Sequence, residues 1–179
     1  MRLRTASGAP VHDAVVTVYP AGGAGGAYRP DGPLRIVQHD IQFEPFVTVV
    51  PVGAEVTFPN QDKVRHHVYS FSPAKRFQLK LYGREETRTV KFDAVGVVAL
   101  GCNIHDQMAA FIKVVDTPYV AKTDASGVAV VRGAPAGAAT MKVWQPFMKT
   151  AGNEIVRPVT VPRDGMAQDM VVELRPGAR

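Results

Sequence analysis

The stretch GVVALGCNIHDQMAAFIKVV, residues 96–115, decides how the chain is read. Its two ends, Gly96–Gly101 and Ala109–Val115, are short apolar runs of the kind that form strands. Between them Cys102, His105 and Met108 stand in the spacing C-x2-H-x2-M. A tight loop at a strand junction can turn all three side chains towards one point. Thiolate, imidazole and thioether together are soft-to-borderline ligands, a set that suits copper better than Mg, Ca or Mn.

A trigonal copper site of one Cys and two His needs a second His from elsewhere. His66 and His67 supply the candidates, just after Asn60-Gln61-Asp62. A strand alternates its faces, so the two cannot both point at one metal. Val68 shares the side of His66, and Tyr69 that of His67. His12 and His39 fall outside any such cluster. A zinc site of His66, Cys102, His105 and a water is the chemical rival, and Met108 argues against it because a thioether does little for zinc. Plainer readings exist for each residue alone: a single Cys in a β protein is usually buried and inert, and a single Met is usually core. Taken jointly, the cluster points to a metal, and to copper.

Outside that stretch the rest of the chain also reads as β. Strand-like runs are Ala14–Tyr19, Ile36–Gln42, Thr48–Pro51, Glu55–Phe58, His66–Phe71 and Glu86–Phe92. After Pro118 come Val128–Val131, Thr140–Gln145, Ile155–Val161 and Asp169–Leu174. One short helix is expected, within Pro73–Leu81. Among 179 residues, 16 are Gly and 14 Pro, more than a mainly helical domain tolerates. The 46% hydrophobic content argues against wholesale disorder. A single Cys excludes an intrachain disulfide framework and every Cys-only zinc site.

Charge divides the chain. Residues 31–116 balance ten Lys/Arg against ten Asp/Glu, so the net +5 lies wholly in the flanks. No run of five or more like charges occurs, which gives nucleic-acid binding little support. The uncharged stretch Ala14 to Tyr28 holds Pro20 and four Gly and is too short for a bilayer, so no transmembrane segment is expected. Met1-Arg2-Leu3-Arg4 is not followed by an apolar segment; the chain is cytosolic or begins after a removed leader. The Gly-rich run Ala21–Ala27 reads as a linker, and Asp116-Thr117-Pro118 ends a strand-like run. A small echo joins the flanks: Ala6-Ser7-Gly8 and Ala125-Ser126-Gly127 each precede a strand. Three residues are too few to exclude chance.

With these motifs in place, the middle of the chain resembles the cupredoxins. Phe43-Glu-Pro45, Val49-Val-Pro-Val-Gly53 and Val56-Thr-Phe58-Pro-Asn60-Gln-Asp62 are similar to that family's opening strands. Asn60-x-Asp62-x3-His66-x-Val68 resembles the segment bearing its first copper His, and C-x2-H-x2-M its short amicyanin-type ligand loop. The resemblance implies His66, Cys102 and His105 as trigonal ligands and Met108 as the weak axial one. His66 is chosen over His67 on this ground, with His67 at the rim. Ile104 stands where amicyanin-like loops carry Pro, and His67 where the plastocyanin-like pattern has Asn.

The flanks resemble carboxypeptidase-regulatory-like β-sandwich domains, through Ser7-Gly-Ala-Pro-Val11 with Ala14-Val-Val-Thr-Val18, and through Thr123-Asp-Ala-Ser-Gly127, Pro135-Ala-Gly137 and Lys142-Val-Trp144-Gln-Pro146. The combination resembles bacterial methylamine-utilisation-like or plastocyanin-like proteins. The expected fold is all-β: a cupredoxin Greek-key sandwich at 31–116, inserted in or flanked by a second small sandwich at 1–30 plus 117–175, with a tail at 176–179. One sandwich made from both flanks would also explain the Ala-Ser-Gly echo. Trp144 is then core.

The function implied is a one-electron carrier holding one mononuclear type 1 copper per chain, not an enzyme. No ligand position stays open for substrate, and a multicopper oxidase would need more histidines. A copper chaperone or storage protein, and a metal-free assembly module, are the alternatives. Asn60 is expected to clamp the His66 and Cys102 loops together. Lys63, Arg65, Lys75, Arg76 and Lys80 lie near His66 in sequence and read either as a solvated face or as a dock for an acidic redox partner. The copper-site resemblance implies a periplasmic location.

Overall fold

Alternation of inward apolar and outward polar residues builds many of the strands, such as Glu55–Pro59 and His66–Ser72, whereas Val15–Val18 is buried throughout. The structure, a computed structural model, describes residues 1–177, so the expected tail at 176–179 falls partly outside the described residues. The strands β1 (Arg2–Arg4) and β2 (Val15–Pro20) come first. The middle holds β3 (Val37–His39), β4 (Gln42–Glu44), β5 (Val47–Pro51), β6 (Glu55–Pro59), β7 (His66–Ser72), β8 (Lys75–Tyr82), β9 (Thr87–Lys91), β10 (Gly96–Gly101) and β11 (Ala109–Val115). Then follow β12 (Val120–Lys122), β13 (Gly137–Trp144), β14 (Glu154–Val161) and β15 (Asp169–Val171). The only helical element among the described residues is one 3-10 turn, Ala151–Asn153. The protein is all-β.

Two units divide the chain: Tyr28–Asp116, and Met1–Ala27 together with the chain from Thr117 onward. The flanking unit carries the antiparallel sheet β12-β2-β13-β14 and the parallel pair β1-β15. Leu3, Val16, Val18, Met141, Val143, Met148 and Met170 form its core, and Trp144 is buried, as a core side chain should be. The echoed tripeptides turn out to be one turn used twice. Gly8 N–H donates to Thr5 C=O, and Gly127 N–H to Asp124 C=O. The leading side chain then takes the next amide, Ala9 onto Thr5 Oγ1 and Val128 onto Asp124 Oδ1. Both glycines have positive φ, +84° and +77°, which only glycine adopts without cost.

The middle unit packs the sheet β5-β11-β10-β7-β8 against the pairs β3-β4 and β6-β9. β5 runs parallel to β11, and the other ladders of the sheet are antiparallel. Bridges from Arg35 to Thr57 and from Gln38 to Asn60 tie the β3 segment to β6. Ile36, Phe43, Val56, Phe58, Val68, Phe92, Val98, Leu100, Ile112 and Val114 fill the core. Each such side chain contributes about 1.5–3 kcal/mol by leaving water.

Three expectations need correction. The segment Pro73–Leu81 is not helical: Lys75–Tyr82 is the edge strand β8, with Phe77 and Leu79 turned to the core and Arg76, Gln78 and Lys80 outward. A bulge hid that alternation. His66 pairs with Tyr82 and Val68 with Leu79, so Lys80 and Leu81 together oppose His67, and the inward phase slips to Tyr82. The run Ile36–Gln42 breaks into β3 and β4 at Asp40 and Ile41, both with positive φ. Val128–Val131 forms only an isolated bridge, Val128 to Arg2; its neighbour Ala129 donates to Met1 C=O rather than to a ladder.

Candidate metal centre

The period of two that builds β10 and β11 also aims two of the candidate ligands. Val98 and Leu100 point inward, so the next inward position is Cys102; Ile112 and Ala110 point inward, so the preceding one is Met108. The ladder closes at the pair Gly101–Ala109, leaving residues 102–108 as the loop. Cys102 is 4% exposed and Met108 1%, and both belong to the core cluster of the middle unit. The loop is tight: Met108 N–H donates to His105 C=O at 2.9 Å. His105 itself is half-buried, with Ile104 beside it in sequence 51% exposed.

On β7 the same alternation separates the two adjacent histidines. His66 and Val68 are fully buried, whereas the rings of His67 and Tyr69 lie together at 5.8 Å on the other face. His67 Nδ1 is shielded from solvent without a hydrogen-bond partner and takes no part in the cluster. His12 and His39 also lie elsewhere, beside Asp13 and Asp40.

His66, Cys102 and His105 converge, with one potential ligand atom from each within 4.8 Å of the others. Nδ1 of His66 and Nδ1 of His105 each stand 3.9 Å from Cys102 Sγ. Imidazole and thiolate donors bind metals at about 2.0–2.3 Å, which sets trigonal donors about 3.5–4 Å apart. The two sulfur–nitrogen separations match that spacing, so the three residues could hold one metal ion, and their chemistry is that of a copper or zinc ligand set. The buried thioether of Met108 belongs to the same loop and the same core cluster.

The far nitrogen of His66 is also occupied, by a residue whose role the sequence did not disclose. Nε2 lies 2.7 Å from Asp62 Oδ2. Asp62 also accepts the amides of Asp40, at 2.8 Å, and Ile41, at 3.1 Å. Burial pushes its carboxyl up, but the hydrogen bonds from His66, Ile41 and Asp40 outweigh this and hold it below the ordinary carboxylate range. Asn60 is a clamp of a different kind from the one expected. Its side chain donates to Val64 C=O and Tyr82 C=O and accepts the Asp62 amide, binding the His66 segment to β8 rather than to the Cys102 loop.

Of the five cations expected near His66, Lys63, Arg65, Arg76 and Lys80 are exposed, and Lys75 is half-buried and paired with Asp93 at 3.7 Å. Arg76 lies opposite Phe71 across the β7–β8 ladder, and Phe71 is one of the most exposed apolar side chains of the protein. No helix among the described residues is long and apolar enough to cross a membrane.

No family model and no curated protein matches the chain. Solved structures do. A Cu-containing nitrite reductase from Thermus scotoductus SA-01 is 24% identical over 51% of this chain, with a TM-score of 0.45. The match spans about a quarter of that reductase, 24% of its length. A reduced variant of amicyanin is 19% identical over 57% of this chain and 99% of its own, at a TM-score of 0.43. A purple cupredoxin from Nitrosopumilus maritimus is 22% identical over 46% of this chain and 99% of its own, at 0.41. The chemistry of the centre is read from its own donor atoms.

Proposed function

We propose that the chain is a type 1 (blue) copper protein carrying single electrons, with His66, Cys102 and His105 as the trigonal ligands and Met108 as the weak axial one. The convergence of two imidazole Nδ1 atoms on one buried thiol, each at 3.9 Å, carries this reading. When bound, copper supplies a one-electron couple that two imidazoles, a thiolate and a distant thioether suit in both oxidation states.

The residues of the chain do the rest. β7, β10 and β11 hold the donors in place before an electron arrives, so little has to move when it does. Burial of Cys102 and Met108 keeps water from the thiolate. His105, at the half-exposed edge, is the natural point of electron exchange with a partner. Exposed Arg76, Lys80, Lys63 and Arg65 favour an acidic partner surface, chiefly by raising the encounter rate. In this reading the middle unit is a cupredoxin domain, the flanking unit a carboxypeptidase-regulatory-like scaffold or docking surface, and the location periplasmic.

Adding Cu(II) to the metal-free chain tests the proposal. It requires an intense blue thiolate-to-copper absorption, absent from Cys102→Ala, and a reversible one-electron wave in voltammetry. Colourless binding with zinc preferred would replace copper by the zinc reading. Rapid loss of copper to a chelator would favour storage or delivery, and no binding at all an assembly module.

A further inference from the structure

We propose that Asp62 is the positioning residue of this centre, selecting the hydrogen-bonding state of His66 that leaves Nδ1 free to face Cys102. The inference deepens the copper reading and rests on it for the metal, but the geometry behind it belongs to the chain alone. His66 is wholly buried, so its ring has no water to choose its tautomer. The nitrogen that Asp62 meets, Nε2 at 2.7 Å, is the one turned away from the thiol. A carboxylate only accepts hydrogen bonds, so Nε2 carries the hydrogen, and in the neutral ring Nδ1 then keeps its lone pair. That lone pair lies on the side of Cys102 Sγ.

Asp62 is itself held from three directions. The Asp40 amide reaches Oδ1 and the Ile41 amide Oδ2, from a β3–β4 turn in which both residues have positive φ, +50° and +58°. That conformation is costly for a β-branched residue such as Ile41, and the two amides it aims at one carboxylate offset part of the cost. The Asp62 amide donates to Asn60 Oδ1 at 2.8 Å. Asn60 in turn grips Val64 C=O and Tyr82 C=O. The loop from 60 to 66 is thereby closed on both sides of Asp62, and the carboxylate cannot swing away from the ring.

Two consequences separate this role from simple structural support. Without the carboxylate, a buried imidazole can place its hydrogen on Nδ1, in the position a metal must take. A full negative charge beside the outer nitrogen also makes the ring a stronger donor, which favours the oxidised metal. Removing that charge while keeping the shape should therefore raise the reduction potential.

The test compares the full-length protein with Asp62→Ala and Asp62→Asn. In the metal-free wild type, long-range proton–nitrogen NMR should show His66 as the Nε2–H tautomer, and Asp62→Ala should populate Nδ1–H. Copper titration should show affinity falling about 10–100-fold in Asp62→Ala. Asp62→Asn keeps an oxygen for the turn amides and serves if the alanine variant does not fold. Its potential should rise, a tenfold loss confined to Cu(II) reading as about 59 mV. A His66 that keeps the Nε2–H tautomer in both variants, or variants with wild-type affinity and potential, overturns the proposal. The tautomer is measured without metal, so a wild type that fails to turn blue would overturn the copper reading alone.

Discussion

The two units differ in where some of their buried polar side chains find partners. In the flanking unit, buried Thr117, Thr123 and Gln145 bond to the backbone. Thr123 Oγ1 donates to Val11 C=O and accepts the Ala14 amide, Thr117 Oγ1 donates to Val18 C=O, and Gln145 Oε1 accepts the Phe147 amide. In the middle unit Asn60 likewise bonds to the backbone, but around His66 and Tyr82 side chains meet side chains. His66 faces Cys102 on one edge and Asp62 on the other, and Gln38 donates to the hydroxyl of Tyr82, which donates to Phe58 C=O. Burial pushes that hydroxyl's pKa up, so Tyr82 stays neutral. Polar groups pinned to the backbone stiffen a scaffold; polar groups pinned to one another hold chemistry at a distance set by the strands. The same β alternation serves both, and only the residues at the inward positions differ.

Each unit carries its own single-copy probe, which makes the comparison breakable. Trp144, the only tryptophan, lies in the flanking unit, and Cys102, the only thiol, in the middle one. The largest effects should come from emptying one core at a time. Phe58→Ala should cost the middle unit about 3–5 kcal/mol, and Leu3→Ala the flanking unit about 2–5 kcal/mol. Urea unfolding followed by Trp144 fluorescence should move in Leu3→Ala, and thiol labelling of Cys102 should move in Phe58→Ala. Both probes shifting together in either variant would mean that the two cores unfold as one, and the contrast between the units would be lost.

Glycine substitutions should give smaller and graded effects. A Cβ on Gly127 would sit 2.4 Å from Leu3 O and 3.0 Å from Val11 N, backbone atoms that cannot step aside, at a φ of +77°. Gly8 has the same kind of φ but open space around it. Gly127→Ala should therefore cost the flanking unit about 3 kcal/mol and Gly8→Ala about 1 kcal/mol. In the middle unit, a Cβ on Gly101 would meet the ring of Tyr69 at 2.7 Å, a side chain that can swing. Gly101→Ala should change stability by about 1 kcal/mol while quickening labelling of the adjacent Cys102. Equal losses at Gly127 and Gly8 would show that the turn conformation, not the contact with Leu3, sets the cost.

Most of the middle unit is legible in the sequence because a strand repeats every two residues. That rule carries Cys102 and Met108 inward from the strands that flank them, and it puts His66 and His67 on opposite faces, while the choice between the two comes from the resemblance of the Asn60–Val68 segment. It fails where the repeat is interrupted. In β8 the bulge opposite His67 breaks the phase between Leu79 and Tyr82, and the segment then reads as a helix. Asp62 stands in the sequence motif without an evident task, because no backbone period brings residues four apart together in a loop. Its contact with His66 depends on the Asp40–Ile41 turn, where Asp tolerates a positive φ but nothing in a β-branched Ile announces one. Asn60 reads as a clamp from sequence, yet it grips a different partner, since Tyr82 reaches it only through the bulged strand.

The smallest effect expected separates the two aspartates that cap turns, Asp62 in the middle unit and Asp124 in the flanking one. Asp124 is held below the ordinary carboxylate range by the Ser126 side chain and the Val128 amide, with the Ser126 amide adding to them against slight desolvation. Its value is thus lower folded than unfolded. The stability this contributes is present above the unfolded carboxylate value, near pH 4, and is lost as pH falls through the lowered folded one. Asp124→Asn should flatten the acid dependence of the Trp144 transition below about pH 4 and leave it unchanged near neutrality. Because Asp124 is exposed, water already supports its charge, and the change should be slight. Cys102 labelling over the same pH range should not respond to Asp124→Asn, since Asp124 belongs to the flanking unit, and the carboxylates held low in the middle unit are Asp62 and Glu86. A response of the thiol to Asp124→Asn would show that the cap in one unit governs the stability of the other.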